Sequence, residues 1–265
     1  MKTLLVSVTE AVPDKVQEIY QKVFAKVCSD SNTLVIRDVT PGITRMMDMA
    51  YRYAHLLASR SFCERVIEAQ QEGFDAVVTN ETLDSGVKEA RELVDIPVLA
   101  PGEAALHFAS LLGERIGVVT LQEPSVCRMW EKAIIEYGFQ NKVITNAVRG
   151  VKLSTYEALT KGLDDPGIVL QAVEEKAKEL VEQGAEVIVI GCGFYAPICT
   201  ANGLVKVERD IPLVDPVAIA FKLSEVIVHL KISLGLPPLG RGVTYPRMSD
   251  KNIQRIRKHV GLVKS

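Results

Sequence analysis

The chain has 265 residues, 48% of them hydrophobic, enough to bury a sizeable core as one large domain or two modest lobes. Its 31 basic and 33 acidic residues leave a net charge of -2 with no block of one sign, which argues against nucleic acid or an anionic membrane as partner and for a small-molecule ligand. Five scattered cysteines (Cys28, Cys63, Cys127, Cys192, Cys199) form no C-x-x-C pair, so neither a disulfide framework nor a zinc knuckle is encoded, and a reducing cytoplasm is the expected location.

The opening MKTLLVSV is too short and too soon interrupted, at Thr9 and Glu10, for a signal or membrane segment, and reads as a first strand, Leu4 to Val8. Pro13 opens a helix to about Val27, with Val16, Ile19, Val23 and Val27 on one face. Leu34 to Val39 is a second strand. The turn Thr40-Pro41-Gly42 then leads to a long helix, about Arg45 to Gln71, whose apolar stripe of Met46, Met49, Tyr53, Leu56 and Leu57 is expected in the core. Phe74 to Val78 forms the third strand and ends in Thr79-Asn80-Glu81-Thr82. A helix to about Leu93, the strand Ile96 to Leu99 and a helix from Ala104 to Leu112 follow. Strands alternating with helices in this way define an α/β protein with parallel sheets.

After Gly113 the pattern starts again. Residues 4–24 and 116–138 share one plan, an apolar strand, then a Thr, a Glu and a Pro before an amphipathic helix. VDIPVLAPGEAALHFAS from Val94 matches RDIPLVDPVAIAFKLSE from Arg209. An internal duplication follows. It predicts two pseudo-symmetric lobes, each a short parallel four-stranded sheet flanked by helices, with the active site in the cleft between them. The expected division is 1–113 for the first lobe, completed by 213–235, then 114–212 for the second. The tail 236–265, broken by Pro and Gly and then basic, is expected to end in a solvated helix, with a packed arm, an oligomer contact or partial disorder as alternatives.

The chemistry centres on AEVIVIGCGFYAP, in which an apolar strand breaks at two glycines that bracket Cys192. Glycines let backbone approach a ligand, and the first turn after a strand exposes N–H groups that can hold an anion or a thiolate. A small buried cysteine at a tight turn is the alternative. Under the duplication, the Glu81 loop occupies the equivalent place in the first half, so Glu81 and Cys192 would reach a substrate from opposite sides. A carboxylate beside a helix N-terminus also explains Glu81 without chemistry. Thr9, Thr79, Asn80, Thr82, Thr120 and Gly193 are placed to offer polar donors to a carboxylate or imide, or else to cap helices. Phe194 and Tyr195 would wall the cleft or pack in the core. The four histidines show no metal-ligand spacing.

Over about residues 1–235 the chain resembles the aspartate/glutamate/hydantoin racemase superfamily, nearest its hydantoin-racemase-like branch. DAVVTNETLDSGVKEARELVDIPVLAPGEAALHFA, RIGVVT and AEVIVIGCGFYAP followed by IPLVDPVAIAFKLSE carry the resemblance through their order and spacing. It implies cofactor-free proton transfer at a carbon next to a carbonyl or carboxylate, a small carboxylate- or imide-containing substrate, and a homo-oligomer. It also implies two cysteines flanking the substrate. Cys192 falls on the second of these positions, whereas Glu81 stands at the first; a two-residue shift would put Thr79 there. Ser7-Val8-Thr9-Glu10-Ala11 also replaces the family's Asn-Pro-Asn-Thr-Ser turn. The open readings are therefore a Glu/Cys racemase or epimerase, an arylmalonate-decarboxylase-like lyase, and a cysteine-dependent isomerase or amide or ring hydrolase. A non-catalytic binding protein is a further alternative: Gly191-Cys192-Gly193-Phe194-Tyr195-Ala196 satisfies the dinucleotide pattern G-x-G-x-x-G/A.

Overall fold

The computed structural model describes residues 1–237, 239–240 and 242–263. In the first half, β1 (Lys2–Thr9), α1 (Asp14–Val27), β2 (Thr33–Ile43), α2 (Arg52–Gln71), β3 (Ala76–Thr79), α3 (Val87–Leu93), β4 (Val98–Leu99) and α4 (Pro101–Leu112) follow one another. The second half supplies β5 (Ile116–Thr120), α5 (Pro124–Glu136), β6 (Val143–Gly150), α6 (Thr155–Asp164), α7 (Gly167–Glu182), β7 (Val187–Ile190), α8 (Tyr195–Ala201), β8 (Leu213–Val214) and α9 (Pro216–Leu234).

Two four-stranded parallel sheets result, in the orders β2-β1-β3-β4 and β6-β5-β7-β8. Counted from the start of each half, the two orders are the same. Each sheet has its change of winding direction between its first and third strands, which is where an open α/β sheet leaves a crevice at the strand ends. The strands are buried on both faces, as their unbroken apolar runs require: Val187, Ile188, Val189 and Ile190 are all inaccessible or nearly so.

Helices cover both faces of each sheet, and the last helix of each half covers the other half's sheet. Ala105, Leu106 and Ala109 of α4 pack with Val118, Trp130 and Val187 of the second sheet's layer. Val217 and Phe221 of α9 pack with Leu5, Tyr20 and Val78 of the first. The lobes are joined by this exchange rather than by a linker. Because β8 hydrogen-bonds to β7, the chain that crosses back to the first lobe starts at α9, not at Leu213. Asp215 caps α9 by accepting from the N–H groups of Val217 and Ala218 at 2.9 and 3.1 Å.

The expected long helix is interrupted. β2 continues through Pro41 and Gly42 to Ile43, where it pairs with Thr9. A 3₁₀ turn over Met46–Ala50 precedes α2. The helix then buries Ala54, His55, Ala58, Phe62 and Val66, while Tyr53 and Leu56 stay 70% and 66% exposed. α2 packs on β1 and β2 through Phe62 and Val66, so the stripe of Tyr53 and Leu56 marks the outer face. Met46 and Met49 are likewise not core.

The C-terminal tail ends in a packed arm. Its helix α10 (Asp250–His259) buries Ile253 in the first-lobe core beside Phe62 and Val66. Arg257 donates to both oxygens of Glu64, the Nη2 bond to Oε2 measuring 2.6 Å. The amphipathic pattern explains the docking: Ile253 is the buried anchor of a mostly polar helix. Positions 238, 241, 264 and 265 of the tail lie outside the described residues.

Candidate active site

The ends of β1 and β3 in one lobe and of β5 and β7 in the other converge on a cavity that, with the open solvent at its mouth, spans about 550 Å³. Glu81 and Cys192 both line it. Thr9, Asn80, Thr82, Gly193 and Phe194 share the wall with them.

On the first-lobe side, Thr79 Oγ1 accepts from the Glu81 N–H at 3.2 Å, tightening the chain as it leaves β3. The Glu81 carboxylate turns back over its own loop: Oε1 accepts from Leu83 N–H at 2.8 Å and Oε2 from Ser85 N–H at 2.9 Å. One lone pair on each oxygen remains for another partner. Asp84, in the left-handed region at φ 60°, anchors that loop. It accepts from Gly102 and Glu103 N–H at the start of α4 and, at 2.9 Å, from the Tyr137 hydroxyl of the second lobe. Burial pushes its carboxyl up to about 8, with the charge of Glu81 adding to the effect and the N–H donors opposing it.

On the second-lobe side, Cys192 is 5% exposed at the end of β7. Burial pushes its thiol up to about 11, although the N–H groups of Tyr195 and Phe194 hydrogen-bond it and favour the thiolate. The flanking glycines are required by neighbours within the chain. A Cβ at Gly191 would lie 2.6 Å from the Trp130 ring, and one at Gly193 only 1.8 Å from the Asn80 carbonyl oxygen. Packing therefore accounts for both glycines of the dinucleotide pattern.

Tyr20, held in place by Asn80, braces the two halves. The Asn80 amide donates to Ser7 Oγ and Tyr20 Oη, each at 3.3 Å, and the Tyr20 hydroxyl donates to the Gly193 carbonyl at 2.8 Å. Thr79, Thr120 and Tyr195 do not reach the cavity. Thr79 holds the Glu81 backbone; Thr120 donates to the Gly191 carbonyl at 2.7 Å, a carbonyl also bonded by Trp130 Nε1 at 2.9 Å. Tyr195 is fully buried and donates to the Leu153 carbonyl. Each expected cavity role gives way to an internal hydrogen bond, because a polar group buried at a strand end needs a partner.

Sequence reasoning missed Met46, Met49 and His55, all of which line the cavity. His55 sits between two parts of its wall, with Nε2 2.7 Å from the Met49 carbonyl and Nδ1 2.6 Å from Ser85 Oγ. The carbonyl can only accept, so in the neutral ring Nε2 carries the proton and Ser85 donates to Nδ1. Methionines at i and i+3 were the only sequence signal, and a core helix gives the same one. Among the described residues no lysine or arginine lines this cavity, and no group of three or more His, Cys, Asp or Glu side chains converges as a metal site. No helix among them is long and apolar enough to cross a membrane.

Two duplicated α/β lobes with a thiol and a carboxylate in the cleft at their strand ends define an enzyme that works on a small substrate held between the halves. The chain belongs to the Asp/Glu/hydantoin racemase family, whose sequence profile matches residues 7–224, and it is an isomerase of the racemase class. It is 30% identical over 207 residues to the hydantoin racemase of Pseudomonas sp. (strain NS671), covering 78% of each chain. With that of Paenarthrobacter aurescens it is 30% identical over 180 residues, 66% of this chain and 70% of the other. Among solved structures, the allantoin racemase from Klebsiella pneumoniae has a TM-score of 0.78 at 22% identity, with 94% of this chain and 95% of that one covered. The allantoin racemase from Pseudomonas fluorescens has a TM-score of 0.71 at 25% identity, with 92% and 99% covered.

Proposed function

We propose that this chain racemises a neutral ring imide of the hydantoin type, without a cofactor, by proton transfer between Glu81 and Cys192 on opposite faces of the reacting carbon. The observation that carries the reading is that these two groups, from equivalent strand ends of the two halves, line one largely apolar cavity that has no lysine or arginine in its wall. A dicarboxylate such as aspartate, glutamate or a malonate would bring further negative charge beside Glu81 with no cation in that cavity's wall to offset its desolvation. A hydantoin brings none, and its carbonyls and N–H groups match the hydroxyls of Thr9 and Thr82 and the backbone around Gly193. The same charge argument disfavours the decarboxylase alternative.

The raised thiol makes Cys192 the acid of the resting pair. Glu81 takes the proton from the carbon between the ring carbonyl and ring nitrogen, the electron pair passes into the carbonyl as an enolate, and Cys192 delivers its proton to the other face. The carboxylate ends protonated and the sulfur as thiolate, held by the Phe194 and Tyr195 N–H groups. The reverse passage, or exchange with water, restores the pair. Proton NMR in D₂O tests this with a chiral 5-substituted hydantoin. Deuterium should enter the inverted product and not the unreacted enantiomer early in the reaction, and racemisation should be lost in Cys192→Ala and Glu81→Gln. Loss of CO₂ or ring opening in place of inversion would overturn it.

Self-association is part of the same proposal. Tyr51, Tyr53 and Leu56 leave apolar surface at the start of α2 beside the cavity wall, and light scattering after gel filtration should find an oligomer of this chain; a monomer at micromolar concentration removes this part.

A further inference from the structure

One titratable group in the cavity wall takes no part in the proton transfer. His55, 9% exposed, stands in the partition between the Glu81/Cys192 cavity and an outer polar cleft that Arg52, Ser85 and Lys132 help to line. Both of its ring nitrogens are engaged: Nε2 donates to the Met49 carbonyl at 2.7 Å, and Nδ1 accepts from Ser85 Oγ at 2.6 Å. A ring whose proton is committed to a carbonyl and whose lone pair is committed to a hydroxyl has nothing left to exchange with a substrate carbon. It joins two segments instead.

The first segment is the 3₁₀ turn Met46–Ala50, which brings Met46 and Met49 to the cavity and touches α6 of the second lobe. It contains no buried residue, so little packing energy holds it. Its own bonds, from Asp48 N–H to the Arg45 carbonyl and from Tyr51 N–H to the Asp48 carbonyl, keep its shape but not its place. Among the described residues, the side-chain hydrogen bond that ties this turn to the body of the lobe is that of His55. The second segment is the loop that carries Glu81. Ser85 N–H donates to Glu81 Oε2 at 2.9 Å, so the residue whose hydroxyl His55 holds also directs one oxygen of the carboxylate. Asp84 anchors this loop to α4, and His55 holds it to α2.

We infer that His55 is a positioning residue with two arms. Nδ1, through Ser85, aims the Glu81 carboxylate at the reacting carbon; Nε2, through the Met49 carbonyl, seats the methionine wall against which the substrate lies. One ring thereby sets the base and the wall relative to each other. The inference rests on Glu81 being the base. A misplacement of about 1 Å can cost about 10²-fold in rate, so loosening one donor to Glu81, with Leu83 N–H and Asp84 still in place, should cost about tenfold.

The arms can be cut separately, because an asparagine amide reaches as far as Nδ1 and a glutamine amide as far as Nε2. His55→Gln keeps the donor to Met49 and drops the acceptor for Ser85; His55→Asn does the reverse. Racemisation of a chiral 5-substituted hydantoin, and amide exchange of the ligand-free proteins read by peptide mass, are measured on both, on Ser85→Ala and on Ser85→Ala/His55→Gln. His55→Gln and Ser85→Ala should each lower kcat about tenfold with KM little changed, and the double variant should fall no further, since both changes cut one arm. Exchange should quicken about tenfold over residues 81–86 in these variants, and over residues 45–51 in His55→Asn, which should raise KM about tenfold instead. Ser85 is only half-buried, so Ser85→Ala keeps the test decisive if a histidine variant fails to fold. Unaltered kcat in His55→Gln and Ser85→Ala, losses that multiply in the double variant, or exchange that does not separate the two segments overturns the inference. If Glu81→Gln racemises at the wild-type rate, the base assignment fails and the Nδ1 arm's role with it. If Glu81→Gln is inactive while His55→Gln and Ser85→Ala keep full kcat, the positioning role alone is overturned.

Discussion

Replacing Glu81 by glutamine separates the two things its carboxylate can do. In the native loop both oxygens accept backbone N–H groups, from Leu83 at 2.8 Å and Ser85 at 2.9 Å. Glutamine has one oxygen and one NH₂, so one of those donors would face another donor, and the surviving bond loses its charge. Hydrogen bonds to charged groups are worth about 1.5–3 kcal/mol, so the variant should be destabilised by about 2–3 kcal/mol. For a chain of this size that lowers Tm by about 4–12 °C, at about 2–4 °C per kcal/mol. If the loop were all that Glu81 served, activity measured well below Tm would stay within about tenfold of wild type. As a proton carrier its loss should cost about 10²–10⁴ in racemisation rate, the usual contribution of a positioned acid or base. Polarimetry on a pure enantiomer and a thermal melt on the same samples give both numbers. Cys192→Ala is the control, since it should lose comparable activity without the loop's hydrogen bonds. A Glu81→Gln enzyme that melts early but racemises at near wild-type rate would reduce Glu81 to a loop cap and refute the two-base pair.

Three further expectations concern the surroundings of that pair. Burial holds the Cys192 thiol at about 11, so peptide-mapped alkylation at Cys192 should be slow at pH 7 and rise about tenfold per pH unit towards pH 10; fast labelling at neutral pH would reverse the acid and base assigned here. Asp84 and Asp215 are pushed up by burial to about 8 and about 6, above the ~3.9 of an unfolded chain, so the native state holds extra protons and stability falls as pH rises through these values. Urea melts at pH 5 and pH 9 should show a larger loss for wild type than for Asp84→Asn, and equal losses would remove Asp84 as the source. Gly193→Ala places a methyl 1.8 Å from the Asn80 oxygen and should cost about 1–3 kcal/mol by overpacking, with activity reduced as the two loops part; a variant of native Tm and rate would mean that the loops shift freely.

The α/β class and the paired lobes were legible because they are written in periodicity and repetition, which the buried strands and the shared sheet order reproduce. Where the reading went astray, two local signals were degenerate. The apolar residues Tyr53, Leu56 and Leu57 recur at helical spacing as a core stripe would, yet α2 buries the other side of the helix, with Ala54, Ala58, Phe62 and Val66. Thr79, Thr120 and Tyr195 stand at strand ends as ligand-binding residues would, and each is consumed by an internal carbonyl or amide. Which polar group at a strand end remains available depends on what packs beneath it, and no local spacing encodes that. His55 was invisible for the same reason, since its two partners, Met49 and Ser85, lie on different segments of the wall.

The duplication nevertheless carried more than the Glu81/Cys192 pair. If equivalent strand ends face one another, β3 must meet β7, and Glu81 and Cys192 share a wall. The same rule applied to the second strand of each half sets the segment after β2 against the segment after β6. Residues 44–47 follow the first, and Ser154, Tyr156 and Leu159 follow the second. These are opposite sides of a second, larger cavity that shares Thr9 and Met46 with the first. Thr9, at the end of β1, borders both spaces, and Leu121, immediately after the equivalent β5, borders the smaller one. The two cavities are therefore successive products of one pseudo-symmetry. The strand ends next to the winding change bring Glu81 and Cys192 to one space, and the outer strand ends border the other.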